Sequence, residues 1–287
     1  MTTEGMTTAP AAVPRPPGFA AQAARALKAL PTLLRVGISE VVAYRAEFVV
    51  WILTTNMPLV MLALWHAVAA DGPVGRFDQK GFTAYYLGVL AVRLLTTSWV
   101  VWQLSMEVRD GTLAAKLLRP IHPIVSLAAD HVSAVPMRAL VISPVVAILV
   151  AVAGDRLLRH DPVLVAVFGA SLAGAWLLIF FTMVLMGSLA FFVDSALGIF
   201  ELWLGVHAIL SGYLVPLELL PRWVARIARL SPFDSMLAFP LETLTGKRDL
   251  GAALASLGVQ WLYVAVMAAA GLTVWRRGVR RYVAFGG

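Results

Sequence analysis

The sequence predicts an all-α integral membrane protein with six transmembrane helices. Three observations predict it. Of the 287 residues, 60% are hydrophobic and 14% charged, against about 45–50% apolar and about 25% charged in a soluble domain. The mean hydropathy is +0.82. Several apolar runs approach the roughly 20 residues that cross a hydrocarbon core. Backbone groups in lipid must be satisfied within their own segment, so such runs fold as helices.

Residues 1–18 are rich in Pro, Ala and Thr and cannot bury a core. They are expected to form a disordered tail, with residues 19–287 as one membrane domain. The tail lacks the early apolar core of a cleaved signal peptide. Next, Leu27, Leu30, Leu34, Ile38 and Val41 recur at steps of three and four, beside a stripe of Arg25, Lys28, Thr32, Arg35 and Ser39. That pattern is a helix with one apolar and one basic face. It suits an interfacial helix on the inner membrane face or a packing helix on the aqueous side. Pro31 starts its second half or kinks it.

The six spans fall at about residues 48–68, 82–104, 124–153, 163–193, 198–220 and 254–275. Lys and Arg are modestly biased toward one side, with the loop after the fifth span as the main exception. The early loops and the basic C-terminus place both termini in the cytoplasm. Trp51, Trp65 and Trp275 are the best candidates for interfacial anchors.

Composition excludes several chemistries. There are no cysteines, hence no disulfide, thiolate metal site or thiol nucleophile. The net charge of +7 fits cytoplasmic loops and anionic lipid, not nucleic acid. Gly246-Lys247-Arg248 lacks the leading glycine and the hydroxyl residue of a phosphate loop. The five histidines form no metal-ligand spacing, and no catalytic or metal residues are expected.

Two connections stand out. In EVRDGTLAAKLLRPIHP, residues 107–123, Gly111 and Thr112 open a short helix. Leu113 and Leu117 share its apolar face, Lys116 and Arg119 stay wet, and Pro120 and Pro123 end it. Such a helix suits either docking into a groove of a soluble partner or a plain interfacial turn. Residues 219–251 are too apolar for a free loop. Pro221 opens a short helix in which Trp223, Ile227 and Leu230 face one way and Arg222, Arg226 and Arg229 another. Ser231-Pro232 closes it, and Phe233 begins a second apolar stretch. A re-entrant hairpin dipping from the outer face accounts for this pattern, with a soluble lid as the alternative. Pro216 loosens the outer end of the fifth span. Within the spans, Arg93, Arg138 and His207 are polar candidates, because charge at membrane depth is costly.

Four stretches, taken in order, carry a family resemblance: RAEFVVWIL (45–53), RDGTLAAKLLRPIHP (109–123), LSGYLVPLELLPRWVARIARLSPF (210–233) and WRRGVRRYVAFG (275–286). They resemble permease subunits of ABC-2 type exporters, closest to the ABC-2 family or viologen-exporter-like branch. The resemblance implies a six-helix permease preceded by an amphipathic helix. It implies a coupling helix at residues 111–119, with Arg109, Gly111, Leu113, Lys116, Leu117 and Arg119 contacting a separate ATPase. It implies an outer re-entrant rim holding Pro216, Pro221, Trp223, Pro232 and Phe233. Two permease chains, identical or different, and two ATPase chains would form the transporter in the inner (plasma) membrane. ATP and Mg would bind the ATPase and no cofactor this chain. The sequence has no fused nucleotide-binding domain. An ion-coupled secondary transporter or channel is the alternative, and it needs intramembrane carboxylates that are scarce here.

Overall fold

A computed structural model describes residues 19–43, 57–154, 157 and 161–285. The predicted tail, the stretch 45–53 with Trp51, and the first half of the first predicted span lie outside the described residues. All regular structure described is helical; the nearest approach to a strand is an isolated bridge between Val74 and Phe77.

In chain order the helices are α1 (Phe19–Ala43), α2 (Met57–Val68), α3 (Gln79–Thr96), α4 (Val100–Arg109), α5 (Leu113–Leu117), α6 (Pro123–Ser133), α7 (Val135–Ala153), α8 (Pro162–Ser188), α9 (Ala196–Leu210), α10 (Arg222–Arg229), α11 (Phe239–Leu244) and α12 (Leu250–Phe285). Asp249 accepts the Ala252 N–H at the start of α12, and side-chain caps start three other helices. Asp78 accepts the Gly81 N–H before α3, Asp161 accepts the Val163 N–H before α8, and His122 Nδ1 accepts the Ile124 N–H before α6. Pro123 and Pro162 stand in the first turn, where a missing N–H costs nothing.

Among the described residues, four helical units are long and apolar enough to cross a membrane: Gln79–Arg109, Pro123–Ala153, Pro162–Phe191 and Leu250–Tyr282. Only 17% of the apolar window is buried in both Pro123–Ala153 and Leu250–Tyr282, so the rest of that surface must meet lipid or another subunit. Two shorter apolar helices, α2 and α9, stand at the first and fifth predicted spans. The chain is a multi-pass membrane protein.

Helix α8 is the centre. It packs against α12, α4 and α11, while α3 packs against α7 and α2. The largest apolar cluster joins Leu104 and Leu113 to Phe180, Phe191, Phe200 and Trp275. A second joins Phe77, Phe82, Tyr85 and Tyr86 to Leu241. Gln260 ties three elements at depth: it is fully buried, and its Nε2 donates to Ser171 O of α8 at 3.0 Å and Ser235 O at 2.8 Å. The second bond follows from Pro240, which has no N–H to offer the preceding turn.

Several expectations change. The second span is two helices, because the backbone leaves helical geometry at residues 97–99. The third is divided at Ala134, where Pro136 starts a new helix. Helix α1 is continuous across Pro31, so the proline does not start a separate helix there. Trp275 is 2% exposed and packs on Phe191, and Trp65 stacks on Phe82. Trp275 therefore belongs to the interior, while Trp65 is partly buried.

Candidate functional site

The connection between α4 and α6 is a compact hook. Asp110 caps α4, and Gly111 then turns the chain at φ +74°, a left-handed conformation that glycine adopts without strain. Helix α5 follows at once. Leu113 is fully buried and joins the cluster that contains Trp275, with Leu117, Val279 and Tyr282 packed against it. Lys116 Nζ pairs with Glu107 at 2.6 Å, fastening α5 to the end of α4. The face expected to meet a partner, Leu113 with Leu117, is thus turned into the chain itself, since burial against α12 removes more apolar surface from water. The outward surface consists of Arg109, Gly111, Arg119 and, above all, Leu118 at 88% exposure. Pro120 does not end α5, whose last residue Leu117 lies three residues earlier, and Pro123 opens α6. Burial lowers the pKa of His122 in this turn, and Arg276 lowers it further, so the imidazole caps α6 as the neutral acceptor.

The opposite end holds the second candidate region. Helix α9 ends at Leu210, six residues before Pro216, so that proline does not loosen a span. The break is made at Gly212, whose φ is +84°. The turn that follows is pinned by side chains from two other helices. Tyr85 donates to Gly212 O at 2.7 Å, Tyr86 to Leu214 O at 2.7 Å, and Trp65 Nε1 to the same Leu214 O at 3.3 Å. Pro221 precedes α10 as expected. Within α10, Trp223, Ile227 and Leu230 are 69%, 51% and 73% exposed, so the apolar stripe faces away from the core. Pro232 and Phe233 begin a second helical stretch that passes through a π-turn at Asp234–Ala238 into α11.

The three arginines of α10 do not act alike. Arg222 and Arg226 are exposed, whereas Arg229 turns inward. It meets Asp234 at 2.7 Å and clasps Glu242 through both terminal nitrogens, at 2.6 and 2.7 Å. Arg248 approaches the same carboxylates from the far side, with Nε 2.9 Å from Glu242 and an Nη 3.1 Å from Asp234. Arg248 also bonds Ser256 and lies 5.1 Å from the Phe239 ring centroid. Two guanidinium groups and two carboxylates therefore balance in a site where Asp234 and Glu242 are 5% and 7% exposed. Bidentate geometry of this kind offsets desolvation better than a single contact does. Asp234, Glu242 and Arg248 were not singled out from the sequence. An acid pair between two arginines on a segment too apolar to be a loop was the available signal.

At mid-span the three polar candidates separate. Arg138 is 3% exposed and donates to Thr97 O at 3.0 Å, the first carbonyl of the break in the second span. It makes no ion pair among the described residues. His207 packs between Trp203 and Phe233. Arg93 lies 4.9 Å from the Tyr213 ring centroid. Arg93 and His207 line a cavity of about 460 Å³ with Glu201, Leu204, Tyr213 and Leu214, where α3, α9 and the pinned turn meet. Arg138 belongs to a different place, and the structure does not bring it to this cavity. No cluster of His, Asp and Glu that could hold a metal occurs among the described residues.

A search of curated proteins finds no match to the chain. A family model described as ABC-2 family transporter protein matches residues 75–286, from the start of α3 to the end of α12. That span covers the broken second span, the α5 hook, the pinned turn and the charged hairpin, and on this match the chain belongs to the ABC-2 family of transporter proteins, the membrane permeases of ABC transporters.

Proposed function

We propose that this chain is the transmembrane subunit of an ATP-driven exporter that moves a drug-like, lipid or peptide substrate out of the cytoplasm. ATP and Mg bind a separate ATPase subunit, and a second permease chain, identical or different, completes the pathway. Both termini are cytoplasmic, in the cell's inner (plasma) membrane. The observation that carries the reading is the α5 hook. Its root is buried through Leu113, its tip offers Leu118, Arg109 and Arg119, and α4 continues from it toward the break at residues 97–99. A push on the tip is delivered to a rigid helix that ends in a hinge, which is the mechanical requirement for coupling ATPase closure to the spans. Pro216, Pro221, Trp223, Pro232 and Phe233 form the outer rim in this reading, and the cavity at Arg93 and His207 lies on the substrate path.

The ion-coupled alternative needs titratable carboxylates within the membrane. Asp234 and Glu242 are each held by two guanidinium groups, in ion pairs within one cluster and not singly along a pathway. The test is co-expression with an ATPase encoded beside this chain, followed by purification. Leu118→Asp with Arg119→Glu is expected to abolish co-purification and permease-stimulated ATPase activity while leaving the permease folded. Retention of both would overturn the assignment of the hook.

A further inference from the structure

We propose that the pocket between Arg76 and Lys247, at the end of the bundle remote from α5, binds the phosphate of an amphipathic ligand. The pocket encloses about 240 Å³, and its walls come from four parts of the chain. Arg76 and Phe77 belong to the connection before α3, Tyr85 to α3, Ala153 to the last turn of α7, and Thr245 and Lys247 to the turn after α11. Two cations thus converge from segments far apart in sequence.

Arg76 and Lys247 both pair with Glu218, Lys247 at 3.2 Å, so two positive charges share one carboxylate. The charged hairpin nearby is different, with two cations for two acids. Lys247 is the inner cation: its side chain is 20% exposed against 58% for Arg76, and its Nζ lies 4.5 Å from the Phe77 ring centroid and 5.5 Å from that of Tyr85. Burial lowers the pKa of this ammonium; Glu218 opposes that shift, Arg76 adds to it, and Glu242 opposes it more weakly. An added anion relieves that cost. Phosphate accepts charge-assisted hydrogen bonds from a guanidinium and an ammonium together, one at the rim and one on the floor.

The remaining walls are apolar or aromatic: Phe77, Ala84, Tyr85 and Ala153. Ala153 lies one turn after Val150, which is 52% exposed on α7. The pocket therefore opens beside exposed apolar surface of a helix apolar enough to cross a membrane, and an aliphatic chain attached to the phosphate has an apolar path along α7. A lipid phosphate fits this arrangement, and free phosphate shares its chemistry at the cationic end.

The site is independent of cargo, of transport direction and of any ATPase, and its test uses the purified full chain alone. Three probes are titrated in neutral detergent: dihexanoylphosphatidylglycerol, dihexanoylglycerol without phosphate, and inorganic phosphate. Phosphatidylglycerol is expected to bind about tenfold more tightly than the phosphate-free analogue. Arg76→Gln with Lys247→Gln is expected to remove that advantage. Glu218→Gln, which keeps both cations and removes the competing acid, is expected to tighten binding. The Glu218→Gln arm stands even where the double variant fails to fold. Saturable binding of inorganic phosphate with the same variant pattern assigns the site to the free ion. Equal binding of the lipid with and without phosphate, or weakening by Glu218→Gln, overturns the proposal and leaves the cluster a structural clasp.

Discussion

At the end that carries α10 and α11, the chain is held by directed polar bonds. Arg229 and Arg248 grip Asp234 and Glu242, and Tyr85, Tyr86 and Trp65 hold the carbonyls of the turn after α9. At the end that carries α5, one ion pair and one buried leucine hold the hook, and the rest is aromatic packing around Trp275. The difference is in specificity of geometry. A bidentate network at low exposure permits one arrangement and penalises every other. Apolar packing is non-directional and tolerates sliding at modest cost. The first end is held to one shape, and the second can shift without losing its contacts.

The largest expected effect comes from breaking the polar end. Glu242→Ala leaves the half-buried Arg229 and Arg248 with Asp234 as their only shared acid, and is expected to cost about 3 kcal/mol. Tryptophan-detected thermal unfolding of the full chain in detergent reads it. The pair Glu242→Leu with Arg229→Leu is expected to cost less than Glu242→Ala, because no unpaired Arg229 charge remains. A loss no larger than that of an exposed substitution such as Leu118→Ala would remove the basis of the contrast.

The apolar end is expected to respond less. Leu113→Ala removes a fully buried side chain from a five-residue helix whose neighbours can close in, at about 2–3 kcal/mol. The same assay measures it, and Leu118→Ala at the exposed tip is expected to fall within about 0.5 kcal/mol of wild type. Equal losses at the two leucines would place α5 outward and restore the face read from the sequence.

Gly212 joins the two themes, because the polar pins depend on its backbone. Gly212→Ala forces a side chain into φ +84° and sets its Cβ 2.7 Å from the Tyr85 hydroxyl. Strain of this type costs about 1–2 kcal/mol. Loss of binding at the Arg93 cavity without loss of stability would show instead that the turn serves the cavity and not the fold.

What the sequence made legible follows from the range of the physics involved. Apolar runs and helical periodicity are local, so the long spans and Pro221 as the start of α10 were readable from composition and spacing alone. The break at residues 97–99 was not, because TTSWVV sits inside a continuous apolar run, and the bond that stabilises the break comes from Arg138, 41 residues away. The same holds for Arg229. Periodicity grouped it with Arg222 and Arg226, and only Glu242, thirteen residues on, and Arg248 beyond it turn its side chain inward. Leu113 fell on the expected helix, but its burial depends on Trp275 at the other end of the chain. Element type was local information, and facing was not.

The smallest expected effect separates two tyrosines one residue apart. Tyr85 provides the side-chain donor to Gly212 O, whereas Leu214 O receives both Tyr86 and Trp65. Tyr85→Phe therefore orphans a buried carbonyl and is expected to cost about 1 kcal/mol, while Tyr86→Phe leaves its carbonyl a second donor and is expected to cost about 0.5 kcal/mol. Both retain the ring packing with Phe82 and Phe77, so the comparison isolates the hydrogen bond. Unfolding midpoints of the two variants, measured side by side, decide it. A larger loss for Tyr86→Phe would mean that the long Trp65 contact carries no share of the turn, and that the polar end rests on fewer pins than its geometry implies.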